Sequence, residues 1–579
     1  MQQLALKSQY DIVIIGAGVG GLTAAALLSK AGFSVCVLEK EPHPGGYLAG
    51  FRRKDFRFDT AIHWLNQCGP HGMAGKIFSV LGKDHPHAVP QKRIRRYVGN
   101  SHDYLLTNSP EELKQQWIQE FPHEKKGIEK FFKAAKKIGA AFDNFSSIFR
   151  TEESMNFLER LKNKLPLIKF GMAFIPHLGY SGEKGVRKGL GKYFRTQKLQ
   201  DIFVADGELI GCLVPIGWAY YGDFQSPPKG GGQVIPEWLE HIVHYYHNDT
   251  FYKCAVEKIL LDEYNTATGV RFHHRGTSYE VNAKYVVAAC DVETLYDKML
   301  PPSVLDDKFR MKLKDADMYS SSVTISIALD CPAQQLGFNE ELVHICNEKA
   351  SKEEHYSGDP VKSEISILAP SLRDPSLAPE GCGTLTIFMP AEMSFQNEWL
   401  TTKDENGKYV RNENYKKLKT EIADVLIDRV EKMVAPGLRA HILFYDVATP
   451  VTHWRYTGNK NGTMMGAKPG KKNMQNKIAH YHTPVKNLLL GGHWAELGGG
   501  VPIAVKAGTN AALLILQKEN KKAFRLLADY MDNRISTEDF LKAGVFKDYD
   551  NSWIPQPTPA QKAAARKEMK DEKATDSNI

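Results

Sequence analysis

Near the start of the chain, Gly16-Ala17-Gly18-Val19-Gly20-Gly21 has the residue types and spacing of a phosphate-binding turn. In the pattern G-x-G-x-x-G the first glycine permits a tight turn and the second lets backbone approach a pyrophosphate. The third lets the following helix pack closely on its strand. The free N–H groups at that helix start attract the anion. Glu39 closes the next apolar stretch, where a carboxylate can accept hydrogen bonds from both ribose hydroxyls, and Lys40 follows it. Gly16, Gly18, Gly20, Gly21, Glu39 and Lys40 are therefore the expected nucleotide contacts. A glycine-rich turn alone says little. A strand before it, a helix after it and an acid at the end of the next strand make it a nucleotide site.

The residues after Glu39 discriminate between dinucleotides. Glu41-Pro42-His43-Pro44 leads without a helix into a second glycine pair, Gly45-Gly46, followed by Tyr47. A plain nicotinamide dehydrogenase does not need that pair. Far along the chain, 487–490 is an apolar strand entering Gly491-Gly492-His493, and Gly498-Gly499-Gly500-Val501-Pro502 opens a helix. Backbone there can close over the long pyrophosphate-ribityl chain of a flavin, so FAD is the expected cofactor. Its further contacts are expected at Gly46, Tyr47, Gly492, His493 and Val501, and at Val256 in the strand 255–261. His63, Trp494 and Glu496 flank these segments from opposite ends of the sequence and are the candidates for catalysis. A lone His or Glu beside a glycine turn also serves as a structural hydrogen-bonding residue.

The elements that must hold these groups are legible as a coarse pattern. Residues 10–15 are apolar and β-branched, 22–31 helical and 33–38 a second strand, which is half of a doubly wound α/β fold. From about 72 to 224 the pattern is mostly helical. A helix at 235–246 and short strands at 255–261, 270–274, 279–281 and 285–289 follow. The β-branched stretches 320–329 and 383–389 predict a second, separate sheet. The expected fold is a two-domain α/β flavoprotein whose nucleotide domain is assembled from 1–72, 225–305 and 479–520. Residues 73–224 form a helical, membrane-facing substrate part and 306–478 a substrate sheet. Residues 521–579 read as a polar tail, solvated or disordered from 560 onward.

With 579 residues, 42% apolar and 25% charged, the chain is long enough for two or more cores and ordinary for a folded enzyme. Its eight cysteines are scattered with no Cys-x-x-Cys pair, which indicates neither a zinc site nor a disulfide scaffold and predicts reduced thiols in the cytosol. His241, His244 and His247, spaced i, i+3, i+6, drift across a helix face with no carboxylate partner, so no metal site is expected. The net charge of +8 has no stripe with stacking aromatics, so nucleic acid is not the expected partner. An anionic membrane surface suits this charge better.

Several motifs in one order resemble the phytoene desaturase, carotenoid isomerase and retinol saturase group of flavoproteins over nearly the whole chain to about Gln517. They are the N-terminal fingerprint with Glu39 and Gly45-Gly46, Phe58-Asp59-Thr60-Ala61-Ile62-His63, Phe121-Pro122-His123-Glu124 and Gly231-Gly232-Gln233-Val234-Ile235-Pro236. Ala448-Thr449-Pro450-Val451-Thr452, Arg455-Tyr456-Thr457-Gly458-Asn459 and the C-terminal glycine segment complete the set. The resemblance implies redox or isomerisation chemistry on a carbon–carbon bond of a polyene or isoprenoid lipid. That bond would lie in a long apolar slot against the flavin ring. His63 resembles the retinol saturase branch more than the carotenoid isomerase branch. Three positions depart from the group: Tyr47 where arginine is frequent, Ala61 where glycine is usual and His493 where an acid is common. The last places the side-chain contact to the cofactor in question.

A lipid substrate has to be collected from a membrane. Residues 155–178 mix Leu158, Leu161, Leu165, Ile168 and Phe174 with Arg160, Lys162, Lys164 and Lys169. Such a segment suits the bilayer interface, and its other reading is a core-packing helix pair broken at Pro166. The expected location is cytoplasmic, peripheral on the membrane. Only one dinucleotide fingerprint is present, so an external electron donor or acceptor has no visible domain of its own. The rival readings are an amine-oxidase-like flavoenzyme and a non-catalytic prenyl-binding protein like the Rab GDP-dissociation inhibitors, whose nucleotide site would be degraded.

Overall fold

The computed structural model describes residues 4–147, 149–347, 349–405 and 407–576. β1 (Gln9–Ile15), α1 (Val19–Lys30) and β2 (Val35–Leu38) open the chain. A hairpin of β3 (Arg93–Val98) and β4 (Asp103–Thr107) precedes helices α2 (Lys125–Asp143), α3 (Phe157–Phe174) and α4 (Leu209–Tyr220). After α5 (Val234–Tyr245) run β5 (Asp249–Phe251), β6 (Cys254–Leu261), β7 (Ala267–His274) and β8 (Thr277–Ala288). Then come β9 (Ser321–Leu329), β10 (Leu342–Ile345), β11 (Ile365–Leu368), β12 (Gly383–Ala391), α6 (Glu413–Met433) and β13 (Ile442–Ala448). β14 (Leu488–Leu490), α7 (Val501–Glu519) and α8 (Lys521–Met531) close the nucleotide half.

Two seven-stranded sheets organise the molecule. The first has the order β6-β7-β8-β1-β2-β5, with β14 also on β8. Its β8, β1, β2, β5 and β14 pair in parallel. Parallel strands are covered on both faces, which is why Ile12 to Ile15 and Val35 to Leu38 are continuously apolar and buried. α1 packs against both α5 and α7. The strand after the first helix thus delivers Glu39 to the C-terminal edge of the sheet, beside the glycine turn. That edge is where open α/β sheets bind their ligands.

The second sheet has the order β13-β9-β12-β11-β10-β3-β4. Alternation along β9 explains its role. Val323, Ile325, Ile327 and Leu329 form one core with Leu418, Ile422 and Leu426 of α6, while Ser322, Thr324 and Ser326 turn the opposite way, onto an internal cavity.

Three expectations change. The 73–224 region is not purely helical, because β3 and β4 complete the second sheet, Leu342 to Ile345 pairing with Arg95 to Val98. Their signal is masked by Arg93, Arg95 and Arg96, which break the apolar pattern without preventing strand pairing. Residues 521–549 do not behave as a polar tail: Leu527, Tyr530, Phe540, Phe546 and Tyr549 are buried in the main core. A helix does cover Pro559–Asp576, and residues 577–579 of the expected tail lie outside the described residues. The segment around Pro166 is one helix, α3, opened by a capping box between Asn156 and Glu159, and none of its residues is buried. The reading of a core-packing pair broken at Pro166 therefore falls.

Candidate functional site

A single cavity of about 1550 Å³ runs from the glycine turn of the first sheet to the inner face of the second. Ordinary ligand pockets hold about 300–1,000 Å³, so there is room for a dinucleotide and a second molecule. Its nucleotide end is built by backbone. Gly16 has φ +102°, and a Cβ there would lie 2.8 Å from the carbonyl oxygen of Ala289. A Cβ on Gly21 would lie 2.1 Å from the oxygen of Gly16, so the helix and strand touch through bare backbone. Gly18 differs: no atom lies within 4 Å of where its Cβ would stand. It caps α1 without a side-chain bond, and no acid occupies the helix's first turn. The result is an unshielded N-terminus open to the cavity, suited to a pyrophosphate.

Glu39 is 8% exposed, its Oε2 accepting from Ala17 N at 2.7 Å and its Oε1 from Glu41 N at 2.9 Å. Each carboxylate oxygen keeps a second acceptor site free for a sugar hydroxyl. Lys40 beside it is held below the usual lysine range by burial, against the raising charges of Glu41 and Glu39. Gly45 N donates to Ala17 O at 2.9 Å, bringing the second glycine pair alongside the first turn.

The two departures at the cofactor end become physically explicit. The Tyr47 hydroxyl donates to Thr463 O, accepts from Asn459 Nδ2 at 3.3 Å and lies 3.3 Å from Thr457 Oγ1. Burial pushes it up to about 12, with Thr457 and Asn459 pulling the other way, so a neutral phenol stands at this position. His493 is driven by burial down to about 4, leaving a neutral imidazole whose buried Nε2 has no hydrogen-bond partner among the described residues. Asp291 leaves its buried Oδ2 equally unpartnered, while its other oxygen accepts from Thr294 N at 2.7 Å. Orphaned polar atoms are costly inside a protein, and two on one cavity wall indicate a polar ligand that satisfies them.

All twelve expected cofactor contacts lie on this wall: Gly16, Gly18, Gly20 and Gly21; Glu39, Lys40, Gly46 and Tyr47; and Val256, Gly492, His493 and Val501. His63 lies there too, its ring stacked on Phe388 with centroids 3.7 Å apart and planes 5° from parallel. Arg373 Nη1 donates to the His63 carbonyl at 2.7 Å. Burial first, then the charges of Arg373 and His453, hold the imidazole down to about 3.

Trp494 and Glu496 do not join the wall. The Glu496 carboxylate accepts from Tyr481 Oη at 2.6 Å and pairs with Lys506 Nζ at 3.1 Å, which turns it away from the cavity. Trp494 is 4% exposed, and its Nε1 donates to Asn459 Oδ1 at 3.4 Å, so it supports Asn459 and, through it, Tyr47. Sequence reasoning missed Asp291, His453 and Asn459. Asn459 sits in one of the stretches that carry the family resemblance, but its link to Tyr47 spans the whole chain. The far wall is also less uniformly apolar than expected. Trp64, Trp218 and Phe388 share it with Ser322, Thr324 and Ser326, and His453 Nε2 lies 3.3 Å from Ser322 Oγ.

Comparisons agree with this architecture. The model of the NAD(P)-binding Rossmann-like domain matches residues 14–81. The all-trans-retinol 13,14-reductase of Danio rerio is 24% identical over 557 residues, covering 90% of this chain and 88% of the relative. The chloroplastic prolycopene isomerase of Daucus carota is 26% identical over 491 residues, covering 79% of this chain and 72% of the relative. An oxidoreductase from Methanosarcina mazei has the same fold, with a TM-score of 0.53 at 18% identity over 88% of this chain and 100% of its own. These relatives are matched over most of their length, and the glycine turns and Glu39 lie around one cavity, so the chain is similar throughout to retinol reductases and prolycopene isomerases.

Proposed function

We propose that the protein is an FAD-dependent oxidoreductase acting on carbon–carbon bonds of a polyene or isoprenoid lipid. The carrying observation is the continuity of the cavity, which joins the uncapped α1 terminus and Glu39 to the aromatic face of the second sheet. Bound FAD would supply hydride transfer at its ring. The chain's own part is to hold the pyrophosphate at Gly18, accept the ribose hydroxyls at Glu39, orient the polyene over His63 and Phe388, and keep water out. The neutral His493 can give a hydrogen bond at the cofactor without adding charge, while the Tyr47 hydroxyl is held by Thr463 O and Asn459 Nδ2. A flavin absorption spectrum in the purified protein, with polyene turnover followed under anaerobic conditions, tests this. A colourless protein that binds no added FAD overturns it.

Glu39→Ala is expected to weaken FAD binding by about 1–3 kcal/mol, because the ribose donors and the amides of Ala17 and Glu41 lose their acceptor. Flavin titration of the apoprotein measures it, and an unchanged affinity removes Glu39 from the site.

The same reading includes peripheral docking on an anionic bilayer through α3. No helix among the described residues is long and apolar enough to cross a membrane. Phe157, Leu158, Leu161, Leu165, Ile168 and Met172 of α3 are 56–79% exposed, interleaved with Arg160, Lys162, Lys164 and Lys169. Apolar exposure on this scale suits a bilayer interface, and each cation adds about 1 kcal/mol near an anionic surface. The inner side of α3 places Phe170 and Phe174 on Phe142, and Phe142 packs 5.4 Å from Trp218 on the cavity wall. One aromatic layer thus separates the bilayer face from the slot. Co-sedimentation with anionic vesicles is expected at low salt and should decline as the Debye length contracts below about 8 Å. Leu161→Asp combined with Leu165→Asp should abolish it while leaving flavin content intact. Equal sedimentation of the double variant excludes α3 as the docking face.

A further inference from the structure

At the outer end of the second sheet, four potential metal-ligand side chains gather where the flavin reading has no use for them. Asp330 and Cys331 follow β9, Cys382 precedes β12 and His441 precedes β13. β9 lies between the other two strands, with Leu329 opposite Gly383 on one side and Ile442 on the other. The ladder therefore carries Asp330, Cys382 and His441 to one edge as neighbours, and Asp330 N donates to His441 O at 3.1 Å. Ligand atoms of Asp330, Cys331 and His441 all lie within 4.8 Å of one another, and His441 Nδ1 is 2.8 Å from Asp330 Oδ1. Cys382, one residue before Gly383, stands at the same end of the β9–β12 ladder.

We propose that this end of the sheet binds a divalent ion of the zinc class through Asp330, Cys331 and His441, with the fourth position left to solvent. Three physical points carry it. The donor set of one oxygen, one nitrogen and one sulfur is the borderline-soft mixture that zinc accepts. Ligand bonds of about 2.0–2.3 Å place tetrahedral donors about 3.5 Å apart, which small side-chain rotations reach from the observed spacing. The charge also balances, because a Cys331 thiolate, the Asp330 carboxylate and a neutral His441 together match two positive charges. The side chains of His441 and Asp330 are 41% and 48% exposed, so an ion can enter from solvent.

A second grouping, His344, Cys346 and Glu364, meets the same spacing. Arg95 acts on both His344 and Glu364 there, and its guanidinium opposes a cation. At the Asp330 site the ion-pair partner of Asp330 is His441 itself. None of Asp330, Cys331, Cys382 or His441 lines the cavity. The ion's role is thus to tie the end of β9 to the edge strand β13, holding the sheet that forms the far wall of the slot.

The test uses the full-length flavinated protein, kept reduced, stripped with a chelator and titrated with Co²⁺ alone. Expected is one equivalent per chain, read in the difference spectrum as a sulfur-to-cobalt charge-transfer band with tetrahedral ligand-field bands, both bleached by Zn²⁺. Cys331→Ser should lose the charge-transfer band and His441→Ala the tight binding, with flavin content unchanged in each. Zn²⁺ should also raise the Tm of the wild type in a concentration-dependent way and slow alkylation of Cys331. Absence of the band in the wild type, its persistence in Cys331→Ser, or an alkylation rate indifferent to Zn²⁺ overturns the proposal.

Discussion

Gly18→Val is expected to give a folded protein that purifies without flavin. The substitution is unusually clean because Gly18 has an ordinary extended conformation, φ −69° and ψ 168°, which valine adopts without strain. Nothing stands within 4 Å of the new Cβ, so the apoprotein meets no clash. The cost to the fold is that of a poor helix cap, on the order of 1 kcal/mol. The same empty space is where a pyrophosphate must come against the α1 N-terminus, and two added methyl groups fill it. Flavin-to-protein absorbance and a thermal melt separate the two effects: retention should vanish while the melt shifts by only a few degrees. Gly21→Val supplies the contrast. Its Cβ would press on the Gly16 carbonyl, so folding itself should fail there. A fully flavinated Gly18→Val protein would move the cofactor away from this turn and overturn the reading of the whole cavity.

The contrast between Gly18 and Gly21 shows what the sequence could and could not reveal. A glycine required by close backbone approach and one required by a ligand look identical in a string, and only the motif's strand-turn-helix setting assigned their roles. That setting is local, within Gln9 to Leu38, and local order is what hydrophobic periodicity reports. The C-terminal glycine segment was legible for the same reason. Side-chain direction after it was not. His493, Trp494 and Glu496 are near neighbours in sequence, but the short turn of His493–Ala495 sends only the first into the cavity. Asp291 escaped notice because its unpartnered oxygen is a property of the assembled wall. β3 and β4 escaped because arginines on a strand whose neighbours cover it read as solvent exposure. The helices beyond Asn520 escaped because their apolar residues are sparse, yet Leu527 and Tyr530 fall on one face and meet the first core.

The second large effect concerns His63, for which the structure narrows the chemistry. Its imidazole is held down to about 3 from an ordinary 6.5, so it is neutral throughout the range in which most enzymes work. A protonated imidazole giving its proton to a polyene carbon is therefore excluded as its resting role. What remains is a neutral ring on the cavity wall lying flat on Phe388, with its backbone pinned by Arg373. His63→Phe preserves the stacking and the bound flavin, and turnover should fall by about 10²-fold, the scale of losing one positioned donor. His63→Gln, which restores an N–H without an imidazole titration, should recover part of the rate. The pH profile should keep its shape in both variants between about pH 5 and 8, because no ionisation of His63 contributes there. Stability supplies an independent readout with a definite sign. Below 6.5 the unfolded chain takes up a proton at this residue that the folded chain refuses until about 3. The stability it contributes is thus intact above 6.5 and declines as pH falls toward 3, and His63→Phe should lose less Tm on acidification than the wild type. A full rate in His63→Phe would leave the ring as packing for Phe388, and a profile that changes shape near neutrality would mean that the imidazole titrates in the working enzyme.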